Sequence, residues 1–260
     1  KRHRNADVVE IVVDLERLGE MRRMGWLHRQ AGGGGDVFSF EYDENWLRHP
    51  EVFQFDPDLQ LVEGRIYAPG DRENFGIFLD SSPDRWGRLL MQRRAAQRAA
   101  KNGKPPPTLT AWDTLIGVHD ATRMGALRFR RDENEPFLDD AQDVAAPPIA
   151  RIPELQAVSL KLEDAHAEEH PDYENWLAQL VAPGSSLGGA RPKAGVIDKD
   201  GRLCIAKFPS RKDTHDVGVW EFVVHQLANA AGIEVSPATL QRFGDEGHTY
   251  VSRRFDRTES

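Results

Sequence analysis

The 260-residue chain has one cysteine, Cys204. Disulfide bracing within the chain is therefore excluded, and so is a metal site built from cysteines. No apolar run approaches the roughly 20 residues that a membrane-spanning helix needs, and the opening Lys1-Arg-His-Arg4 has no secretory pattern. Both points predict a cytoplasmic protein. A surplus of positive charge is also missing. Thirty-four Lys and Arg against 42 Asp and Glu leave a net charge of −8, which argues against the whole molecule being a nucleic-acid binder. No internal repeat is visible.

What is present suits a soluble globular fold: 39% hydrophobic and 29% charged residues, in a length that allows one large domain or two modest ones. The charge is uneven. Arg85, Arg88, Arg93, Arg94, Arg98 and Lys101 make a basic run, while residues 163–174 are mostly acidic. A solvated helix face is the plain reading of the basic run, with a partner contact as the alternative.

Val8 to Val13 and Val37 to Tyr42 are rich in β-formers, and the Gly32-to-Gly35 run between them marks a loop. In Asp80-Ser-Ser-Pro-Asp-Arg-Trp-Gly-Arg88, Ser82 predicts an N-cap before Pro83 at the first helical position, with Asp84 suiting the positive helix end. Trp86, Leu89 and Leu90 would be that helix's buried face, and Pro105 to Pro107 lie beyond its end. A further helix is expected over Trp112 to Val118 and a strand over Gly125 to Arg130. Residues 132–153, acidic, Ala-rich and broken by prolines, read as a linker. This divides the chain into a β/α region over 7–131 and a second domain over 154–260, the latter starting with helices at Glu154 to Ala167 and Tyr173 to Leu180.

The second domain carries the chemistry. Asp200-Gly201 sits between Ala194-Gly-Val-Ile197 and Leu203-Cys-Ile-Ala-Lys-Phe208, a strong hairpin signal. Period-two alternation puts Leu203, Ile205 and Lys207 on one face. Next comes a helix whose apolar stripe is expected to comprise Val217, Trp220, Val224, Leu227, Ala228 and Ala231, with Glu221 inside the stripe. A buried carboxylate there needs a cation, and Lys207 lies one connection upstream. Ahead of the hairpin, Ser185-Ser-Leu-Gly-Gly-Ala-Arg-Pro-Lys193 combines glycines, hydroxyls and cations, the makings of a phosphate cradle. Loop, lysine and helix glutamate in that order read as the nucleotide-holding half of a kinase-like fold.

Other motifs fail on their context. Gly184, Gly188 and Gly189 fit neither the P-loop nor the G-x-G-x-x-G pattern. His166-Ala-Glu-Glu-His170 matches a zinc-peptidase pattern, but Pro171 interrupts it at once. His119-Asp120 lacks an asparagine at catalytic-loop spacing, where Gly125 stands.

Gly184-Ser-Ser-Leu-Gly-Gly-Ala-Arg-Pro-Lys-Ala194, Ile205-Ala-Lys-Phe-Pro-Ser210, Arg254-Phe-Asp-Arg257 and the Asp80–Arg88 segment together resemble the HipA family of serine/threonine kinase toxins. The resemblance runs from about residue 8 to the end. It implies an α+β architecture: a mixed β-rich subdomain, then a kinase-like N-lobe of antiparallel sheet plus helix, with an all-helical C-lobe not in this chain. It implies ATP and Mg²⁺ as cofactors. Gly188, Gly189, Ala190, Arg191, Pro192 and Lys193 would form the ATP-contacting loop, Lys207 would hold the α/β-phosphates with Glu221 as its partner, and Arg253 and Phe255 would sit at the adenine-contacting hinge. Many relatives carry glutamate where Arg253 stands. Ser186 would be the autophosphorylated loop serine, with Ser185 adjacent. The implied partners are a helix-turn-helix, HipB-like antitoxin, operator DNA reached through it, and a serine of a translation component such as an aminoacyl-tRNA synthetase.

Phosphoryl transfer also needs an aspartate for the hydroxyl proton, an asparagine and a second aspartate for Mg²⁺. These are expected beyond residue 260, so the portion in hand is expected to be inactive alone. The competing expectation is a non-catalytic half-kinase or pseudokinase module held by an antitoxin.

Overall fold

The computed structural model describes residues 7–32, 35–138, 146–184, 187 and 189–257. Packing divides the chain into two units: Lys1–Pro83 with Leu109–Asp140, and Asp84–Thr108 with Ala141–Ser260. The division falls within the 132–153 stretch. Residues 84–108, however, lie with the second unit, where the sequence reading has them in the first. The reason is a single helix, described below, whose apolar side packs on the second core.

The first unit is built on a five-stranded antiparallel sheet of order β4-β3-β2-β1-β5: β1 (Val8–Val13), β2 (Arg22–Gly32), β3 (Gly35–Tyr42), β4 (Arg65–Tyr67) and β5 (Leu127–Arg130). The expected strands at 8–13 and 37–42 are there, and the long β2 pairs with both of them. The Gly32-to-Gly35 run is the connection between β2 and β3. Short helices α1 (Glu44–Leu47), α2 (Gly76–Asp80) and α4 (Ala111–Ile116) accompany the sheet. Val9, Ile11, Leu27, Phe38, Phe40, Phe78, Trp112 and Phe129 make its core. Gly25 faces a register shift between Ile11 and Val12, and a Cβ there would lie 2.1 Å from the Glu41 carbonyl oxygen. Only glycine fits such a bulge.

The second unit has a four-stranded antiparallel sheet of order β6-β7-β9-β8: β6 (Lys193–Ile197), β7 (Leu203–Lys207), β8 (Ala238–Arg242) and β9 (His248–Arg253). Ala194, Val196, Cys204, Ala206 and Val251 line one face and pack on α3 (Arg85–Lys101), α5 (Ile152–Leu162) and α6 (Tyr173–Gly184), through Trp86, Leu90, Leu155, Val158, Trp176, Leu177 and Leu180. Lys101 pairs with Glu174, joining the basic run to the acidic one. The β6–β7 connection is tighter on one side than Asp200-Gly201 alone suggests. Gly201 N–H donates to the Asp198 carbonyl and Gly201 takes a φ of 79°, so a turn is followed by a left-handed glycine. On the opposite face of this sheet lies α7 (Val217–Ala230).

Two sequence expectations change. Ser82 is not an N-cap: its hydroxyl donates to the Phe78 carbonyl at the end of α2, and α3 starts after Asp84. The stripe expected to bury α7 faces outward, with Trp220 59%, Val224 61% and Leu227 64% exposed. The helix instead presents Gly218 to the sheet, where a Cβ would lie 2.2 Å from the His248 carbonyl oxygen. That approach is too close for a row of bulky side chains, so the larger apolar groups turn away. His119-Asp120, which the sequence already sets aside as a catalytic loop, is a packing feature. Both residues are buried, and Asp120 is ion-paired with Arg128.

Beside it, buried Arg123 donates to the carbonyls of Ser81 (3.0 Å), Leu115 (2.9 Å) and Val118 (3.0 Å) and lies over the Phe129 ring. Arg123→Met keeps much of the volume but strands those carbonyls. A loss of about 3 kcal/mol or more is expected in urea unfolding. A loss under about 1 kcal/mol would show that water replaces the guanidinium.

Candidate nucleotide-binding site

One cross-strand row of the second sheet carries the candidate chemistry. Lys193 on β6 is opposite Lys207 on β7, Lys207 is opposite Tyr250 on β9, and Tyr250 is opposite Leu240 on β8. Alternation sends these side chains to the α7 side, away from the core contributed by Ala194, Ala206 and Val251. Like charges directly opposite on a sheet repel, so the two amines need anions.

Glu221 supplies one. Lys207 Nζ donates to Glu221 Oε1, and the ammonium also stands 5.5 Å from the Tyr250 ring centre. Both partners are about 30% exposed, so an incoming ligand can reach them. Glu221 is delivered by the way α7 is seated. Its N-cap Asp216 accepts from Val219 N–H and from both the backbone N–H and the ring Nδ1 of His248. Burial would raise the Asp216 carboxyl, but these hydrogen bonds outweigh it and hold it below the usual range. Further along, the His225 ring packs edge-on against Tyr250 and its Nε2 meets the Ser236 carbonyl.

Lys193 is nearly fully buried, and its Nζ donates to the Arg191 carbonyl at 2.5 Å. Desolvation first, and the neighbouring positive Lys207 second, lower its pKa to about 8. A negative ligand beside it would favour the charged amine and so offset both effects.

The loop before β6 sits next to this amine. A Cβ on Gly189, whose φ is +88°, would lie 3.4 Å from Lys193 Nζ. Ala190 is exposed and Pro192 buried. The Arg191 guanidinium makes a two-pronged bond to Asp213, which also accepts from Ser210 N–H. Burial acts to raise the Asp213 carboxyl, but the Arg191 pair wins and lowers it. Ser185, Ser186 and Gly188 lie outside the described residues.

The structure thus brings together Gly189, Lys193, Lys207 and Glu221. It does not bring the other two expected residues to them. Arg253 pairs with Cys204, three residues from the Lys207 row, or roughly 10 Å along the strand. Alternation places its side chain on the opposite face, against a 400 Å³ cavity lined also by Asp198, Arg202, Cys204 and Gln241. Phe255, 87% exposed, follows the end of β9. Tyr250, His225 and Asp216 have no sequence signal for this site, because strand pairing brings Tyr250 here and the docking of α7 on the sheet brings the other two.

Phosphate suits these groups; a metal ion has less to bind. Among the described residues no cluster of three His, Cys, Asp or Glu could hold one. His166 and His170 go different ways, the first to Glu169 and the second onto the Trp176 ring.

Lys193 sets a pH test. Its folded pKa of about 8 lies below the free value of 10.5, so the folded state disfavours its charge. The penalty, on the order of 3 kcal/mol, is complete below pH 8 and is relieved as pH climbs towards 10.5. Urea midpoints should therefore rise between pH 8 and 10, and Lys193→Met should be more stable at pH 7 and lack that part of the rise. Equal pH slopes in both proteins would mean that the amine is hydrated.

Comparison with known proteins places this site in context. Residues 185–260 match the family model for the HipA-like C-terminal domain. No curated protein matches the chain. Among solved structures, the fold resembles HipA in the Shewanella oneidensis MR-1 toxin–antitoxin complex of HipA, HipB and operator DNA. The TM-score is 0.51 at 15% identity over 96% of this chain. The chain spans 51% of that HipA chain's length. Its fold is thus α+β and resembles that of HipA, and residues 185–260 are similar to the HipA-like C-terminal domain.

Proposed function

We propose that the Gly189–Lys193 loop and the Lys193–Lys207 row hold the phosphates of Mg-ATP, and that the chain is the nucleotide-holding part of a serine/threonine protein kinase toxin. The observation that carries this reading is the pairing of Lys207 with Glu221 beside a second, desolvated lysine, Lys193, on the same strand row. Glu221 is hydrogen-bonded to Lys207, whereas the Lys193 amine donates to the Arg191 carbonyl and feels Asp84 only through space, so an anion could be taken up beside it, next to Gly189. ATP would supply the γ-phosphoryl group for transfer to a serine of a translation component such as an aminoacyl-tRNA synthetase. Lys207 would bind and orient its phosphates, and Glu221 would hold Lys207 in place.

The aspartate and asparagine of the transfer step would come from a helical lobe in a longer chain, as the half-length match to HipA suggests. The open apolar side of α7, with Trp220, Val224 and Leu227, is suited to seat that lobe. Because the similar HipA is in a complex with HipB and operator DNA, a HipB-like antitoxin and, through it, operator DNA are the proposed partners. A second reading, a non-catalytic half-kinase held by an antitoxin, draws on the lack of a metal-suited acidic cluster among the described residues.

Calorimetric titration with ATP tests the site. Lys207→Ala should weaken binding at least tenfold, the size of a lost hydrogen bond to a charged group, with little change in thermal stability. Glu221→Gln should cost less, because a polar partner for Lys207 remains. Unaltered ATP affinity in Lys207→Ala sinks the assignment.

Trp220→Ala and Leu227→Ala test the α7 face. In the present chain each should alter stability by less than about 0.5 kcal/mol. In a chain carrying the helical lobe, the same changes should reduce both stability and phosphorylation. A large loss in the present chain would show that the face is already covered.

A further inference from the structure

The first turn of α3 makes contacts that its own helix does not require. Asp84 is the N-cap, yet its side chain makes no cap hydrogen bond. An N-cap aspartate ordinarily satisfies one of the free N–H groups of the first turn. Here the Asp84 carboxylate accepts instead from Gly189 N–H, in the loop before β6. Two residues on, the Trp86 backbone N–H donates to the Gly189 carbonyl at 3.2 Å, and its indole Nε1–H donates to the Lys193 carbonyl at 2.9 Å. Gly189 is therefore gripped on both its N–H and its C=O, and the far end of the loop is held by the same tryptophan. The indole is buried among the residues of the second core, so this anchor is rigid.

From this geometry we infer that Asp84 and Trp86 are positioning residues that set the conformation of the nucleotide loop. The inference rests on the proposed nucleotide role of that loop. The physical reason is peptide planarity. In a trans peptide the C=O of one residue and the N–H of the next point in opposite directions. Fixing the Gly189 carbonyl on Trp86 thus turns the Ala190 N–H away from α3, where a phosphate can approach it. Holding the Lys193 carbonyl fixes the start of β6, and with it the register that places Lys193 opposite Lys207. A loop ordered before the ligand arrives loses less entropy on binding. Asp84 also favours the charged form of the Lys193 amine, so it supports the cation as well as the loop.

The test uses Trp86→Phe, which keeps the aromatic volume and removes one donor, with Asp84→Ala and Asp84→Asn. Amide hydrogen exchange of the peptide spanning the loop is measured in the nucleotide-free chain, and affinities are measured for ATP and for adenosine. Loop exchange should quicken roughly fivefold in Trp86→Phe and Asp84→Ala, and ATP affinity should fall by a similar factor while that for adenosine is unchanged. Asp84→Asn, which retains an acceptor, should stay near the parent. Unchanged loop exchange in the first two variants overturns the clamp. Equal losses for ATP and adenosine reduce it to a fold-stabilising contact and overturn the positioning role. Tighter ATP binding by Asp84→Ala also overturns it, because the carboxylate would then merely compete with phosphate. If the parent chain binds no ATP, the proposed nucleotide role fails, while the exchange data still decide whether the loop is clamped.

Discussion

Two amines opposite one another on neighbouring strands, only one of them hydrogen-bonded to a carboxylate, form the constraint around which the second unit is arranged. Lys193 and Lys207 repel, and burial makes the repulsion worse for Lys193. Glu221 relieves Lys207, and the Arg191 carbonyl accepts from Lys193. Asp84 adds a favourable charge to Lys193 through space, yet burial and Lys207 still prevail. A sheet row that could have been apolar is instead kept short of negative charge, an arrangement that costs stability and favours an anionic ligand.

The helix α7 serves that arrangement. Gly218 allows the close approach to the His248 carbonyl, and Asp216 ties the helix start to His248. Glu221 is then within reach of Lys207. The consequence is an outward apolar side, which is costly in water. The same seating explains why a carboxylate can stand on an otherwise apolar helix. It is at the sheet-facing edge, not in the middle of the apolar stripe.

Loop, lysine, hairpin and glutamate could all be read along the chain, because each has a local signature. Asp200-Gly201 announces the turn, β-formers flank it, and a charged residue on a patterned strand or helix stands out. The long strand β2 was not anticipated. Its Arg22-Arg-Met-Gly-Trp-Leu-His-Arg-Gln-Ala-Gly32 mixes charge with glycine, and its place in the sheet comes from pairing on both sides. Tyr250 and Asp216 were illegible for a similar reason. Nothing in their own neighbourhoods points to Lys207 or His248: strand register decides the first contact, and the seating of α7 on β9 the second. Asp84 carries the signal of a helix start. The position was nearly right, but the partner of its carboxylate is more than a hundred residues away in the chain.

Residue types and their order thus determined the hairpin, the cations of the loop and the need for a partner at Glu221, since short-range propensity and charge cost are properties of a segment, while the α+β architecture was implied by the family resemblance. Tertiary structure decided which side of α7 meets the sheet, where Arg253 points, and that the N-terminus of α3 grips the glycine loop. Those outcomes depend on register and on close backbone approach between distant segments, and neither is encoded in any one stretch of chain.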